Sequence, residues 1–142
     1  SLKRLGVEQL DLFQLHCWLK DGLSSLDWLE TLNDLRREGK VDHIGVSIRD
    51  YRPDEGVDLA RFGLVDSIQV VFNMFEQRPA GDLFRAGAQT DTAFIARVPL
   101  DSGVFANCAE ARAAGTAPMR YGEPGMGRIW IVMALACGPR WM

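Results

Sequence analysis

The sequence is poor in the residues that build metal centres and disulfide frameworks. Its three cysteines, Cys17, Cys108 and Cys137, lie far apart and form no C-x-x-C pair, and the chain has two histidines. An odd number of widely spaced cysteines does not indicate a disulfide framework, and so few histidines do not indicate a zinc site. We therefore expect no metal and a reducing, cytoplasmic location.

The sequence also lacks an excess of positive charge and a long apolar run. Its net charge of −3 provides no basic field that would attract nucleic acid or an anionic membrane. The longest apolar run, from Ile129 to Cys137, is much shorter than the roughly 20 residues that cross a bilayer. The first ten residues, SLKRLGVEQL, have no apolar segment of the signal-peptide type. We expect a soluble protein with neither nucleic-acid nor membrane partners.

What the sequence does contain is an alternation of strand and helix patterns. Four strand-type segments are predicted at 10–16, 41–47, 67–75 and 92–100. Between the first two, leucines recur at helical spacing from Leu26 to Leu35, with Ser24 or Ser25 as a possible N-cap and Gly39 as the stop. Further helices are predicted from Pro53 to Phe62 and, more weakly, over 79–89.

The order β-α-β-α-β-α-β indicates parallel strands joined by crossover helices. The strand ends fall near residues 16, 47, 73 and 98, so about 25 to 31 residues separate them, which matches one unit of a (β/α)8 barrel of about 250 residues. A doubly wound sheet shows the same alternation, so the spacing alone does not choose between them. Beyond residue 107 the chain is rich in Ala, Gly, Arg and Pro, and only Ile129 to Cys137 fits a strand or a buried helix.

Several polar residues lie where the predicted strands end. In parallel α/β folds reactive groups gather at the C-terminal ends of the strands, and His16, Ser47, Gln69, Asn73 and Arg97 meet that condition. Each also has a structural interpretation. His16 could be a hydrogen-bonded surface group, Ser47 could cap a turn, and the two amides could bond each other or the backbone. Arg97 could pair with Asp101.

Four motifs in this order and spacing, SLKRLGVEQLDLFQLH, LRREGKVDHIGVS, IQVVFNMFEQRP and IARVPLDSG, resemble the middle of an aldo-keto reductase. The resemblance covers about residues 1–106, and residues 107–142 form a divergent tail. It implies a partial (β/α)8 TIM barrel of about four parallel units, the fourth to seventh strands. It also implies NADPH, or NADH, bound at the C-terminal mouth, and hydride transfer between nicotinamide and a small-molecule carbonyl or alcohol substrate.

The resemblance assigns roles to particular residues. His16, which ends QLH, matches the histidine that donates a hydrogen bond to the substrate carbonyl oxygen. Ser47 and Gln69 match two residues that hold the nicotinamide carboxamide. The family often has Asn after that serine, whereas this chain has Ile48. Arg97 stands where the family usually stacks an aromatic ring on the nicotinamide.

The same resemblance places Leu100 and Ser102, in VPLDSG, near the pyrophosphate. The remaining catalytic residues of the family, an Asp, a Tyr and a Lys, belong to strands that precede this stretch, so we expect the isolated chain to be inactive. Tyr51 and Tyr121, the two tyrosines, match no family motif. A frameshifted or chimeric origin would account for the tail, and loss of the preceding strands for the start.

Two other functions stay open at this point. The chain could be a non-catalytic binding or regulatory barrel, as potassium-channel β-subunits resemble this family, or a different (β/α)8 enzyme whose strand ends coincide. Four strands of a closed barrel would leave two open edges and an uncovered inner face. We therefore expect poor solubility and self-association through the sheet edges.

Overall fold

The computed structural model describes residues 2–100 and the backbone of residues 129 and 130. One parallel sheet carries five strands in chain order. The strands are β1 (Leu10–Trp18), β2 (Val41–Ile48), β3 (Ser67–Val71), β4 (Ala93–Arg97) and β5 (Ile129–Trp130). The helices are α1 (Leu2–Leu5), α2 (Asp27–Arg37), α3 (Val57–Arg61) and α4 (Asp82–Gly87), with 3₁₀ turns at Lys20–Leu23, Pro53–Gly56 and Arg78–Ala80.

One face of this sheet, which we call the outer face, lies under the helices and forms the core. Alternation along the strands places β-branched and aromatic side chains on it, and they are almost fully buried. They are Ile44, Val46, Ile48, Ile68, Val70 and Phe94. Phe94 packs on Phe84 of α4 with ring centroids 4.6 Å apart. A Cβ on Gly87 would lie 2.4 Å from the Phe94 ring, so α4 can approach β4 closely only with glycine at this position.

The opposite face, which we call the inner face, carries several polar side chains. The register pairs Ser47 with Gln69 and Gln69 with Ile95, so these three residues form one row across β2, β3 and β4. A second row, Gln14, Gly45, Ser67 and Ala93, lies one step toward the N-terminal ends of the strands. Polar residues in two neighbouring rows make this face unlike the core.

The predicted order of strands and helices is the order observed, with differences at the ends. β1 continues past His16 to Trp18, because the register shifts between Leu15 and Trp18 and Cys17 adopts φ 54°. Such a bulge lets the strand continue and buries Trp18, which is 5% exposed, against the core. The predicted helix from Pro53 is a 3₁₀ turn followed by the short α3, which ends before Gly63 at φ 59°.

The predicted serine N-cap of α2 is wrong. The N-cap residue is Leu26, and no side chain caps this helix end. Ser24 Oγ instead donates to the Asp21 carbonyl (2.6 Å), and Ser25 Oγ accepts from the Asp27 amide (3.3 Å). Both hydroxyls therefore stabilise the turn that precedes α2.

The C-terminal stretch supplies one short strand to the sheet. Ile129 and Trp130 pair in parallel with Phe94 and Ile95, so β5 covers part of the edge of β4. Among the described strands the sheet still has two edges, because β1 and β5 each pair on one side only. Residues 101–128 and 131–142 lie outside the described residues, and so does the predicted boundary at residue 106. Within the described part of the chain, no helix has the length and apolarity needed to cross a membrane.

Candidate active and cofactor site

His16 lies at the bulge near the C-terminal end of β1. Leu15 pairs with Val46 and Trp18 with Ile48, so His16 lies in the bulge of β1, beside the stretch of β2 that carries Ser47, and has no register partner. The imidazole is exposed, and its Nε2 contacts Cys17 Sγ at 3.6 Å. The ring is therefore accessible to solvent.

Ser47 and Gln69 face each other across β2 and β3. They are register partners, so their side chains leave the sheet side by side on the inner face. Ser47 is 3% exposed, whereas Gln69 is half-buried. A hydroxyl and a carboxamide in this arrangement supply both donors and an acceptor for a planar amide group.

The second row on this face, one step toward the N-terminal ends of the strands, is also polar, and it was not predicted from the sequence. A Cβ on Gly45 would lie 2.4 Å from Ser67 Oγ and 3.0 Å from Gln14, so the glycine leaves room for both side chains. Ser67 Oγ and Gln14 Nε2 are buried and have no hydrogen-bond partner among the described residues. A cavity of about 590 Å³ opens toward the N-terminal ends of the strands, with Ser67 and Ile95 in its wall, and its lining does not include His16, Ser47 or Gln69. The period-two pattern that gives Gln14 and Ser67 the inner side is the signal that could have found them.

Arg97 lies one step beyond the Ser47–Gln69–Ile95 row. It pairs in register with Val71, on the same face as Gln69, at the C-terminal end of β4. Its guanidinium forms an ion pair with Asp50, which follows β2. The alternative partner considered from the sequence, Asp101, lies outside the described residues. The cation thus reaches across the top of β3 toward the loop after β2.

Asn73 uses its amide on the backbone. Its Nδ2 donates to the Val98 carbonyl (3.1 Å), while its Oδ1 accepts from the amides of Phe75 (2.9 Å) and Glu76 (3.0 Å). Of the two functions considered for this amide, bonding to the backbone is the one observed in the structure.

Leu100, another residue of the predicted site, lies apart from the polar rows. Leu100 is 37% exposed at the rim after β4, and Ser102 lies outside the described residues. Ile48, which replaces the second amide of the family motif, is 2% exposed in the core and so offers nothing to the inner face. The structure therefore sets Ser47 and Gln69 side by side, with Arg97 one step further along the same face and His16 at the bulge of the neighbouring strand.

Ion pairs stabilise the loops around this rim. Arg49, just after β2, bonds the carboxylate of Glu55, which is 2% exposed. That hydrogen bond, together with the positive charge, holds the pKa of Glu55 below its usual value despite burial. Glu76 has its pKa lowered in the same way by Arg78. Within residues 2–100, no three His, Cys, Asp or Glu side chains are arranged to hold a metal ion.

Comparison with protein families gives a match to the model described as "Aldo/keto reductase family" over residues 1–119. Two curated relatives are similar. The uncharacterized oxidoreductase C215.11c of Schizosaccharomyces pombe is 30% identical over 106 residues, which is 75% of this chain and 33% of that protein. The uncharacterized oxidoreductase YqkF of Bacillus subtilis is 30% identical over 80 residues, which is 56% of this chain and 25% of that protein. The chain thus spans a third or less of their length.

Comparison with solved structures shows the same kind of fold. The crystal structure of an aldo/keto reductase from Brucella melitensis superposes with a TM-score of 0.51 and 27% sequence identity. The match covers 79% of this chain and 44% of that one. The predicted fold, part of a (β/α)8 barrel built from parallel strands and alternating helices, is therefore confirmed.

Proposed function

Because this chain belongs to the aldo/keto reductase family, we propose that its inner face forms part of the NADPH site, or NADH site, of a reductase. The reductase interconverts a carbonyl and an alcohol, and the cofactor, when bound, supplies or accepts the hydride. The observation that carries the proposal is the register pairing of Ser47 with Gln69, which sets a hydroxyl and a carboxamide side by side, with His16 in the neighbouring bulge of β1. In the proposal the imidazole turns toward these two groups.

Ser47 and Gln69 hold the nicotinamide carboxamide in this proposal. The Gln69 side chain has one carbonyl acceptor and two N–H donors, and Ser47 has one donor and two lone pairs. Because Ser47 is buried, a ligand amide here would replace little water, and each hydrogen bond would be made where solvent competes weakly. The polar, uncovered character of the inner face fits such a group better than it fits an apolar core.

His16 has the catalytic role in this proposal. Its imidazole donates a hydrogen bond to the substrate carbonyl oxygen, so that negative charge developing on that oxygen is stabilised. Contact with Cys17 Sγ and the left-handed backbone at Cys17 fix where the ring leaves β1. This role requires a hydrogen on the ring nitrogen that faces the substrate.

The rim after β4 completes the cofactor contacts in the proposal. Arg97, oriented by Asp50, lays its guanidinium against the nicotinamide ring where other family members have an aromatic side chain. Leu100 and Ser102 contact the pyrophosphate region. The substrate is proposed only as a small carbonyl compound, and the chain on its own is proposed to bind cofactor with catalysis weak or absent.

Cofactor binding and turnover test this proposal separately. NADPH is titrated into the chain and binding is followed by calorimetry, first for the wild type and then for Gln69→Leu. We expect binding that weakens about tenfold or more in Gln69→Leu, since a buried hydrogen-bonding position is lost. Gln89→Leu, on the exposed segment after α4, is the matched control and should bind as the wild type does. Equal binding by wild type and Gln69→Leu would contradict the proposal.

Turnover separates an enzyme from a binding barrel. NADPH consumption is measured with and without an aromatic aldehyde, in the wild type and in His16→Ala. Any aldehyde-dependent consumption that falls in His16→Ala supports a reductase, whereas consumption that is unchanged in His16→Ala would contradict the role of His16. Gel filtration tests the proposed self-association through the sheet edges, and a well-behaved monomer would count against it.

A further inference from the structure

The backbone at Val98 adopts a conformation that valine rarely takes. Val98 follows directly after β4 and has φ 55°, in the left-handed region. A branched Cβ is crowded there, so the conformation persists only where surrounding contacts impose it. Left-handed backbone at a β-branched residue is often found where a segment must be held for function.

The Asn73 side chain contacts the residue in this conformation. It is buried, at 6% exposed, and Asn73 lies in the loop two residues after β3. Its Nδ2 donates to the Val98 carbonyl at 3.1 Å. Its Oδ1 is fixed by the Phe75 and Glu76 amides, at 2.9 and 3.0 Å, so the amide cannot turn away. The side chain therefore bridges the loop after β3 and the segment after β4.

A neighbouring backbone bond supports the same connection. The Phe72 amide donates to the Arg97 carbonyl at 3.2 Å, one residue before the strained position. Together the two bonds hold the carbonyl groups of the two peptide units that flank Val98. The direction of the Arg97 side chain and the start of the rim at Leu100 depend on this segment.

We propose that Asn73 is a positioning residue: its amide holds Val98 in the left-handed conformation and thereby sets Arg97 and Leu100 in place for the cofactor. The functional part of this inference rests on the proposed function, in which Arg97 and Leu100 contact NADPH. Asn73 itself touches neither cofactor nor substrate.

The test variant is Asn73→Asp, which keeps the Oδ1 acceptor for the loop and replaces the donor to Val98 with a carboxylate oxygen. That oxygen repels the Val98 carbonyl. The hydrogen bond from Asn73 to Val98, which we call the tether, is therefore lost, while the bonds to the loop after β3 are kept. We expect NADPH affinity to fall on the order of tenfold. We also expect faster hydrogen exchange at the Phe72 amide, which needs no cofactor to be measured. Asn33→Asp on α2 is the matched control and should change neither value.

The second variant, Val98→Gly, separates positioning from general destabilisation. Glycine takes φ 55° without crowding, so the double variant Asn73→Asp/Val98→Gly should regain most of the lost affinity. A purely structural role for Asn73 would give no such rescue.

The outcomes distinguish the tether from the function. Unchanged exchange at Phe72 in Asn73→Asp overturns the tether, and faster exchange with unchanged NADPH affinity overturns the positioning role. Absence of NADPH binding in the wild type overturns the proposed function and the functional part of this inference, while faster exchange in the variant would still support the tether.

Discussion

The two faces of the sheet differ in what their side chains contact. On the outer face, Val46, Ile68 and Phe94 form a row in which each side chain is at most 1% exposed and packs under the helices. On the inner face, the row beside it carries Ser47 and Gln69. Alternate residues of the same strands thus form an apolar core on one side and present hydrogen-bonding groups on the other.

This difference shows which face determines the fold and which face is available for chemistry. Burial of apolar surface stabilises the outer face, whereas a buried polar group costs free energy unless it is hydrogen-bonded. Ser67 Oγ and Gln14 Nε2 are buried on the inner face without partners among the described residues. The inner face therefore contributes less to folding and has polar groups free to meet a ligand or further protein.

Truncation of neighbouring residues on opposite faces should give the largest difference in unfolding free energy. Phe94→Ala removes an outer-face ring that is 1% exposed and packed on Phe84. We expect a loss of about 3–5 kcal/mol in unfolding free energy, measured by urea denaturation. Ile95→Ala, one residue later on the half-buried inner face, should cost about 1–2 kcal/mol. Equal losses would contradict the difference between the faces.

Substitution of Glu55, which pairs with Arg49 near the rim, should have an intermediate effect on stability. The Arg49 hydrogen bond lowers the folded-state pKa of Glu55, so its stabilising contribution is present above the unfolded-state pKa of about 4.5 and is lost as the pH falls through the folded value. Glu55→Gln should reduce stability at pH 7 and flatten the pH dependence below about 4.5. Urea midpoints between pH 3 and pH 7 measure both effects. Identical pH profiles for the two proteins would refute this interpretation.

Substitution of Ser67 should have the smallest effect on the unfolding free energy. Ser67→Ala removes a buried hydroxyl that has no partner among the described residues, so the desolvation cost of that group is removed as well. We expect the unfolding free energy to change by less than about 1 kcal/mol, and in the stabilising direction. A larger loss would mean that the hydroxyl is hydrogen-bonded in solution.

Local pattern predicted the order of the strands and helices, because strand alternation and parallel direction are properties of short segments. It did not predict the bulge at Cys17, where one added residue with a left-handed backbone leaves no apolar or polar signature. The Arg97–Asp50 pair was missed for another reason. Arg97 ends β4 and Asp50 lies in the loop after β2, and only the folded sheet brings the two residues together.

The most direct test of whether the inner face binds the cofactor is the NMR response of side-chain amides to NADPH. If it does, the Gln69 amide resonances shift as NADPH is added, while those of Asn33 on α2 stay in place. A shift at Asn33 with none at Gln69 would contradict a cofactor site on the inner face.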